Sequence, residues 1–469
     1  MIRRVTLLYA TYWVLLCVLV LAFIRKSGNG PYWFIGALII IVTFLLFRRK
    51  PIYALCTLPG TLMLGIIARI RFGDASLQLG DVHLFAITVM FLSAGTPDRP
   101  IFVGKKGLMP LVVVLITLSW LFSVDLAAST VTVFGLLELF LIYLLTLNLV
   151  KGEEDGAALL RAWLATITLC SALVILSYLR AEPLILDPDE MSGMVSGFGE
   201  LKSTSTAFLR ASFFITSFNY PLVCTLVLLV INLLFGRNSF AGWLSLFAAL
   251  LVNIGATVLL GNKSVMAAAA IACAVAVAYL ARYKRVWPAL AGAVFGLIVI
   301  TNLASLFVGQ FIEPRQLMLF LERINSNDSL VERLKTWKSV VATVAASPHA
   351  LLIGLGPDAS TRGRSDIFAP ILGAEHGVDS AYLFILLNYG LILLVLYLRY
   401  FLRSFGSLIS RITGDHRIIV VSIMGCMLAW LVIGIGQQFG VAKTIALGVQ
   451  LAAIVELLKT KRYAPESGR

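Results

Sequence analysis

Charged side chains are scarce in this chain. They make up 13% of its 469 residues, against 59% apolar types, and the mean hydropathy is +0.94. A soluble protein of this length needs far more polar surface, so a soluble fold is excluded. The chain has no CxxC pair and no run of cysteines with metal-ligand spacing. Its six cysteines (Cys17, Cys56, Cys170, Cys224, Cys273 and Cys426) all fall inside apolar runs, which makes them small core residues and not a disulfide framework. The first apolar run follows Met1-Ile2-Arg3-Arg4 and lacks a small-residue cleavage site, so a retained helix is expected there in preference to a signal peptide. No internal repeat and no low-complexity tract interrupts the chain. Residues 1–469 therefore read as one membrane domain, not a string of separate ones.

What the chain does have is apolar runs close to the length of a bilayer crossing. They fall near 5–24, 31–47, 51–69, 82–96, 108–124, 128–150, 158–179, 212–235, 240–260, 264–281, 287–307, 379–402, 417–436 and 441–458. The expected fold class is an all-α polytopic membrane protein with about 12–14 transmembrane helices. Placing the N-terminus in the cytoplasm puts Arg48-Arg49-Lys50, Lys105/Lys106, Arg282/Lys284/Arg285, Arg403/Arg411/Arg417 and Lys459/Lys461/Arg462 on the inner side. That is the positive-inside pattern, and it accounts for most of the net charge of +14 without a nucleic-acid partner. In this register both termini are cytoplasmic. Two long extracytoplasmic loops result, 180–211 and 308–378. The second carries seven Lys or Arg against seven Asp or Glu, so it is no basic patch.

The chain is organised around the second loop and the span it enters. Ser329 with Glu332 three residues later forms a capping box, and Pro348 supplies a stop. Between them Arg333, Trp337 and Val341 recur at helical spacing and are expected on one face. Glu332, Arg333, Lys335 and Lys338 argue against this helix crossing a bilayer. It is expected to lie on or just outside the membrane, with Arg333 over whatever the spans enclose.

Two more cations share that side. Arg210 stands at the mouth of the eighth span, where an arginine either snorkels to the interface or pairs with an anion. Lys263 lies in the short turn Gly261-Asn262-Lys263-Ser264, where it is an interface anchor or a third anion contact. Three cations from three segments on one face suit a diphosphate, which arginine grips with two parallel hydrogen bonds.

These residues fall into an ordered set. Arg210, Phe214, Phe218 and Asn219 resemble the first conserved element of the O-antigen ligase and polysaccharide polymerase superfamily. Gly261-Asn262-Lys263-Ser264 resembles its short basic turn, with lysine where arginine is usual. Arg333, Trp337, Pro348, Gly354 and Gly356 resemble its loop element. Asp379-Ser380-Ala381-Tyr382-Leu383 with Asn388-Tyr389-Gly390-Leu391 resembles its closing element. The resemblance covers roughly residues 210–390 and keeps the order, the spacing and the membrane side. The N-terminal spans add length and hydropathy but no motif.

The resemblance implies a GT-C-like inverting glycosyltransferase on the outer face of a bacterial inner membrane. Its donor would be an oligosaccharide on undecaprenyl diphosphate, and it would need neither metal nor nucleotide sugar. A flippase and a chain-length regulator would be its partners, besides the lipid bilayer. Arg210 and Arg333, with Lys263 in support, would hold the diphosphate. Trp337, Tyr382 and Asn219 would meet the sugar or the acceptor. Transfer also needs a base at the acceptor hydroxyl. Ligases of the superfamily have histidine at the start of the closing element, whereas this chain has Asp379, as exopolysaccharide polymerases often do. That favours a polymerase. Asp379 is alternatively the N-cap of the twelfth span, and His376 is either an ordinary loop residue or the base.

Other polar residues keep both readings. Asp187-Pro188-Asp189-Glu190 is a solvated acidic run or a metal site. Glu138, inside the sixth span, is expected to face the bundle interior. Gly354 and Gly356 are turn residues or points where the backbone closely approaches a sugar or phosphate. Trp337 stacks on a sugar or packs as an interface anchor. Three rival classes stay open: a ligase with a different acceptor, a lipid-linked oligosaccharide flippase, and a structural partner in an export complex. A flippase should show two related halves and charges deep in several spans, and neither is clear in this chain.

Overall fold

The computed structural model describes residues 30–64, 69–72, 75–93, 108–123, 126–180, 219–236, 239–259, 263–281, 328–357, 380–409, 417–436 and 442–459. They form fourteen helices: α1 (Gly30–Arg49), α2 (Pro51–Leu64), α3 (Leu79–Ser93), α4 (Leu108–Leu121), α5 (Leu126–Leu149), α6 (Glu153–Arg180), α7 (Asn219–Phe235), α8 (Phe240–Leu259), α9 (Lys263–Ala281), α10 (Asp328–Ala345), α11 (Pro348–Ile353), α12 (Ala381–Ile409), α13 (Arg417–Gly436) and α14 (Ala442–Lys459). Five of them contain segments long and apolar enough to cross a membrane: Thr132–Leu149, Glu153–Leu176, Phe240–Thr257, Ala381–Ile409 and Ile418–Ile435. Shorter apolar helices pack beside these. The chain is a helical membrane protein, and twelve of the fourteen expected spans stand as helices. The first and the eleventh lie outside the described residues.

One expected span is cut short. The run expected over 51–69 stops at Leu64, and Arg69–Phe72 (β1) pairs antiparallel with Ala75–Gln78 (β2). The sequence there explains the change. Arg69 and Arg71 alternate with Ile70 and Phe72, a period of two, and the register pairs Phe72 with Ala75, so only Gly73-Asp74 connects the strands. The Gln78 N–H then donates to the Asp81 carboxylate at 2.7 Å as α3 begins.

Most of the bundle shares one apolar core. Helix α13 packs against α7, α9 and α12; α14 lies against α5; α8 lies against α6 and α7. α7 is buried along nearly its whole length. Apolar contact alone gives little preference between helices in lipid, so interhelical hydrogen bonds help fix the register. Asn253 on α8 is fully buried. Its amide accepts from Ser171 Oγ at 2.8 Å and donates to Thr168 Oγ1 at 2.9 Å, both on α6. The Trp163 indole on α6 donates to Gln450 Oε1 on α14 at 2.5 Å. His83 on α3 sits between Thr57 and Thr61 of α2, at 3.2 and 2.6 Å. Where the chain leaves the bundle, Lys50 Nζ meets Asp155 Oδ1 at 3.1 Å, and that hydrogen bond holds the lysine ammonium above its ordinary pKa.

Candidate functional site

The long polar loop folds onto a membrane helix at a break. Inside α12, Gly390 leaves the helical region, with φ 79° and ψ 179°. The break lies about 14 Å along from Ala381 at a helical rise of about 1.5 Å per residue. A break there takes the carbonyls of the preceding turn off their helical donors, and at membrane depth each needs a replacement. The loop supplies it. The Leu355 N–H donates to the Leu387 carbonyl at 2.8 Å and the Gly356 N–H to the Asn388 carbonyl at 3.2 Å. A third donor comes from α4, whose Ser119 hydroxyl reaches the same Asn388 carbonyl at 2.5 Å.

The glycines of this junction are placed by close approach and by positive φ together. Gly354 (φ 81°) caps α11, and a Cβ there would overlap the backbone of Asn388 and Tyr389. A Cβ on Gly390 would overlap the backbone of Leu352 and Ile353. One on Gly356 (φ 119°) would overlap Ser123, whose hydroxyl shares a 2.5 Å hydrogen bond with Ser129. Gly354 and Gly356 are thus turn residues held at positive φ, and the close approach each makes is to the protein itself, Gly354 to the backbone of α12 and Gly356 to Ser123.

α10 rests on the same half of α12. Its buried stripe is Val340 and Val344, packed with Leu387 and flanked by Leu351, Leu355, Leu383 and Leu386. Val341, expected on the face shared with Arg333 and Trp337, is 49% exposed. The stripe follows a spacing of four, three and four residues from Arg333 through Trp337 and Val340 to Val344, which is the seam that one packed face selects. Arg333 and Trp337 are half-buried on the turns before it. The Trp337 Nε1 is enclosed and has no hydrogen-bond partner among the described residues. Pro348 does more than stop α10. It opens α11 at its first turn, with Ser347 as N-cap accepting from the Ala350 N–H at 3.5 Å.

The other end of the closing element is anchored to α13. Ser380 Oγ donates to the Gly434 carbonyl at 3.3 Å, and the Tyr382 hydroxyl donates to the Leu431 carbonyl at 2.5 Å. Tyr382 also meets Tyr397 edge-on, with ring centroids 6.4 Å apart, and Tyr397 is hydrogen-bonded to Trp430. Trp430 in turn packs on Tyr220 at 4.7 Å. Asn219, which opens α7 and is 3% exposed, precedes that tyrosine. Thus Tyr382 and Tyr220, from two separate elements, converge on one α13 segment.

Arg210, His376 and Asp379 lie outside the described residues, as does the Asp187–Glu190 run. Lys263 is the first residue of α9. Among the described residues no group of three metal-ligating side chains occurs. Glu138, expected to face the bundle interior, is half-buried on α5.

Sequence reasoning missed the N-terminal half. α4 and the two residues after it carry no motif, yet they bring Ser119 and Ser123 to the junction, and Phe122 packs edge-on against His349 of α11 at 5.0 Å. Its only signal is a pair of serines four residues apart at the end of an apolar run. Compared with protein-family profiles and with curated proteins, the chain matches none.

Proposed function

We propose that this protein is an inverting glycosyltransferase of the polysaccharide polymerase type. It would be GT-C-like, with 12–14 spans as read from the apolar runs and both termini in the cytoplasm of a bacterium. It transfers an oligosaccharide from undecaprenyl diphosphate to the end of a second lipid-linked glycan, at the outer face of the inner membrane.

The observation that carries this reading is the Gly354–Gly390 junction. Two of the elements behind the family resemblance, Arg333 to Gly356 and Ser380 to Gly390, pack as one unit around a broken membrane helix. Irregular backbone at membrane depth persists only where protein or a cavity covers it, and broken helices are where membrane proteins commonly place polar ligands. Here the covering segment is the one that carries Arg333 and Trp337. Asp379 immediately precedes Ser380, which is tied to α13, so a rigid support lies next to the candidate base.

In this reading the acceptor hydroxyl oxygen attacks the anomeric carbon of the donor sugar, and the bond from that carbon to the diphosphate oxygen breaks with inversion. The hydroxyl proton passes to Asp379 or to His376. The bonding electrons leave with undecaprenyl diphosphate, whose added negative charge Arg210 and Arg333 stabilise, supported by Lys263. Trp337, half-buried on α10, offers a ring face to a sugar.

Purified protein in liposomes, supplied with a lipid-diphosphate-linked repeat unit, tests the proposal. The expected result is a ladder of lengthened lipid-linked glycans with one undecaprenyl diphosphate released per bond formed. Transfer only to an added lipid A-core acceptor would move the assignment to ligase. Movement of the lipid across the bilayer without any new glycosidic bond would end the enzyme reading.

A further inference from the structure

Beyond Gly390, α12 leaves the junction and presents a different surface. Past that break the second half of α12, residues 391–409, runs 19 residues, about 28 Å at the rise of an α-helix, against a hydrocarbon core of about 30 Å. Arg399 lies 18 residues past Ala381 and Arg403 a further turn on. Arg403 belongs to the basic cluster that the positive-inside pattern places at the inner interface, and Arg399 lies one turn before it. They line one open groove of about 580 Å³ together with Val395, Leu398 and Leu402. The apolar members face outward, Val395 at 53% and Leu402 at 72% exposure. Neither guanidinium has an acidic partner among the described residues.

We propose that this groove is a binding site for an anionic glycerophospholipid. Arg399 and Arg403 stand one turn apart, about 6 Å along the axis, so both guanidinium groups can converge on a single phosphate, each donating to one of its two non-bridging oxygens. The apolar row beside them lies along the path of the acyl chains. A zwitterionic lipid would bring its ammonium group towards the same two arginines, whereas an anionic headgroup adds only hydroxyl donors and acceptors. Arginine suits the task because its planar fork holds phosphate with two hydrogen bonds and remains charged at any physiological pH. The site lies on the opposite half of α12 from the proposed catalytic junction, so it stands or falls without the glycosyltransferase reading.

Native mass spectrometry of the full-length protein in detergent tests it, titrated with palmitoyl-oleoyl phosphatidylglycerol and, separately, with the phosphatidylcholine of the same chains. Wild-type protein should bind phosphatidylglycerol about tenfold more tightly or better, because each basic residue near an anionic headgroup adds to the attraction. The R399Q/R403Q variant should shrink that ratio to about twofold or less, while R161Q, on α6, should leave it unchanged. Equal binding of the two lipids by wild-type protein would overturn the proposal, and that comparison needs no variant to fold. Undiminished preference in a monodisperse R399Q/R403Q would overturn it as well. So would displacement of phosphatidylglycerol by undecaprenyl phosphate at a tenth of its concentration, which would give the groove to the polyprenyl lipid.

Discussion

Gly354 and Gly390 are reciprocal neighbours. Each leaves out a Cβ that would fall inside the chain beside the other, Gly354 against Asn388 and Tyr389, Gly390 against Leu352 and Ile353. Both have φ near 80°, a region that costs other residues about 1–2 kcal/mol. The long polar loop is therefore fastened to the broken helix by close backbone contact, with Leu355 and Gly356 donating across it, as well as by the packing of Val340 and Val344 on Leu387. Side chains cannot drift at such a joint, which makes it a rigid base for Arg333 and Trp337 above it.

Substitution of either glycine should separate the loop from the helix. Gly390→Ala or Gly354→Ala is expected to lower stability by more than about 2 kcal/mol, because strained φ and overlap with backbone act together. Polymer formation should fall with it. Gly406→Ala, also on α12 but facing open space, should be neutral or slightly stabilising. Thermal unfolding in detergent, with polymer yield in cells, separates the two outcomes. Unchanged melting of Gly390→Ala would show that the joint is not a constraint.

The arginines should behave as a fork, not as point charges. Arg210→Ala and Arg333→Ala are expected to abolish polymer while protein abundance stays near normal. Lysine at either position should restore less than about a tenth of the activity if the diphosphate is held with two hydrogen bonds. Full activity in Arg333→Lys would leave the two-bond grip without support, and full activity in Arg333→Ala would take this residue out of the site.

Asp379 and His376 compete for the role of base. Asp379→Asn keeps the size and the N-capping ability of the side chain and removes its charge, so it reads chemistry and not folding. It should lose polymer and accumulate single lipid-linked repeat units, whereas His376→Ala should keep much of its activity. The opposite pattern would make the histidine the base and would withdraw the preference for polymerase over ligase.

Asn253 should matter for stability and not for chemistry. Asn253→Leu removes the hydrogen bonds to Ser171 and Thr168 while keeping similar bulk. A loss of about 1–2 kcal/mol is expected, and a double-mutant cycle with Ser171→Ala should show coupling of about 0.6 kcal/mol or more. Simple additivity of the two changes would mean that the contact does not hold α6 to α8.

A single cysteine at Ser365, in a chain freed of its own cysteines, should react with a membrane-impermeant maleimide in intact cells. Reaction only after the membrane is made permeable would place the loop inside and remove the proposed site from the outer face.

The sequence by itself determined most of the helices, because span-length hydropathy is a local property and lipid demands it of every crossing. It also determined which polar residues are out of keeping with such a chain: Arg333, Trp337, the glycines near 355, and the Ser380–Gly390 run. Only the tertiary structure decided what those residues do to one another. Hydropathy does not say which face of a helix turns inward, so Val340, not Val341, lines the packed face of α10. The strands at 69–78 follow from a short alternating pattern at the edge of a longer apolar run, which the run itself obscures. Ser119 meets Asn388 across 269 residues, a pairing that no local pattern encodes. A glycine's need for positive φ, likewise, comes from the backbone that folds against it, and for Gly354 and Gly390 that backbone is 34 to 38 residues away in the chain.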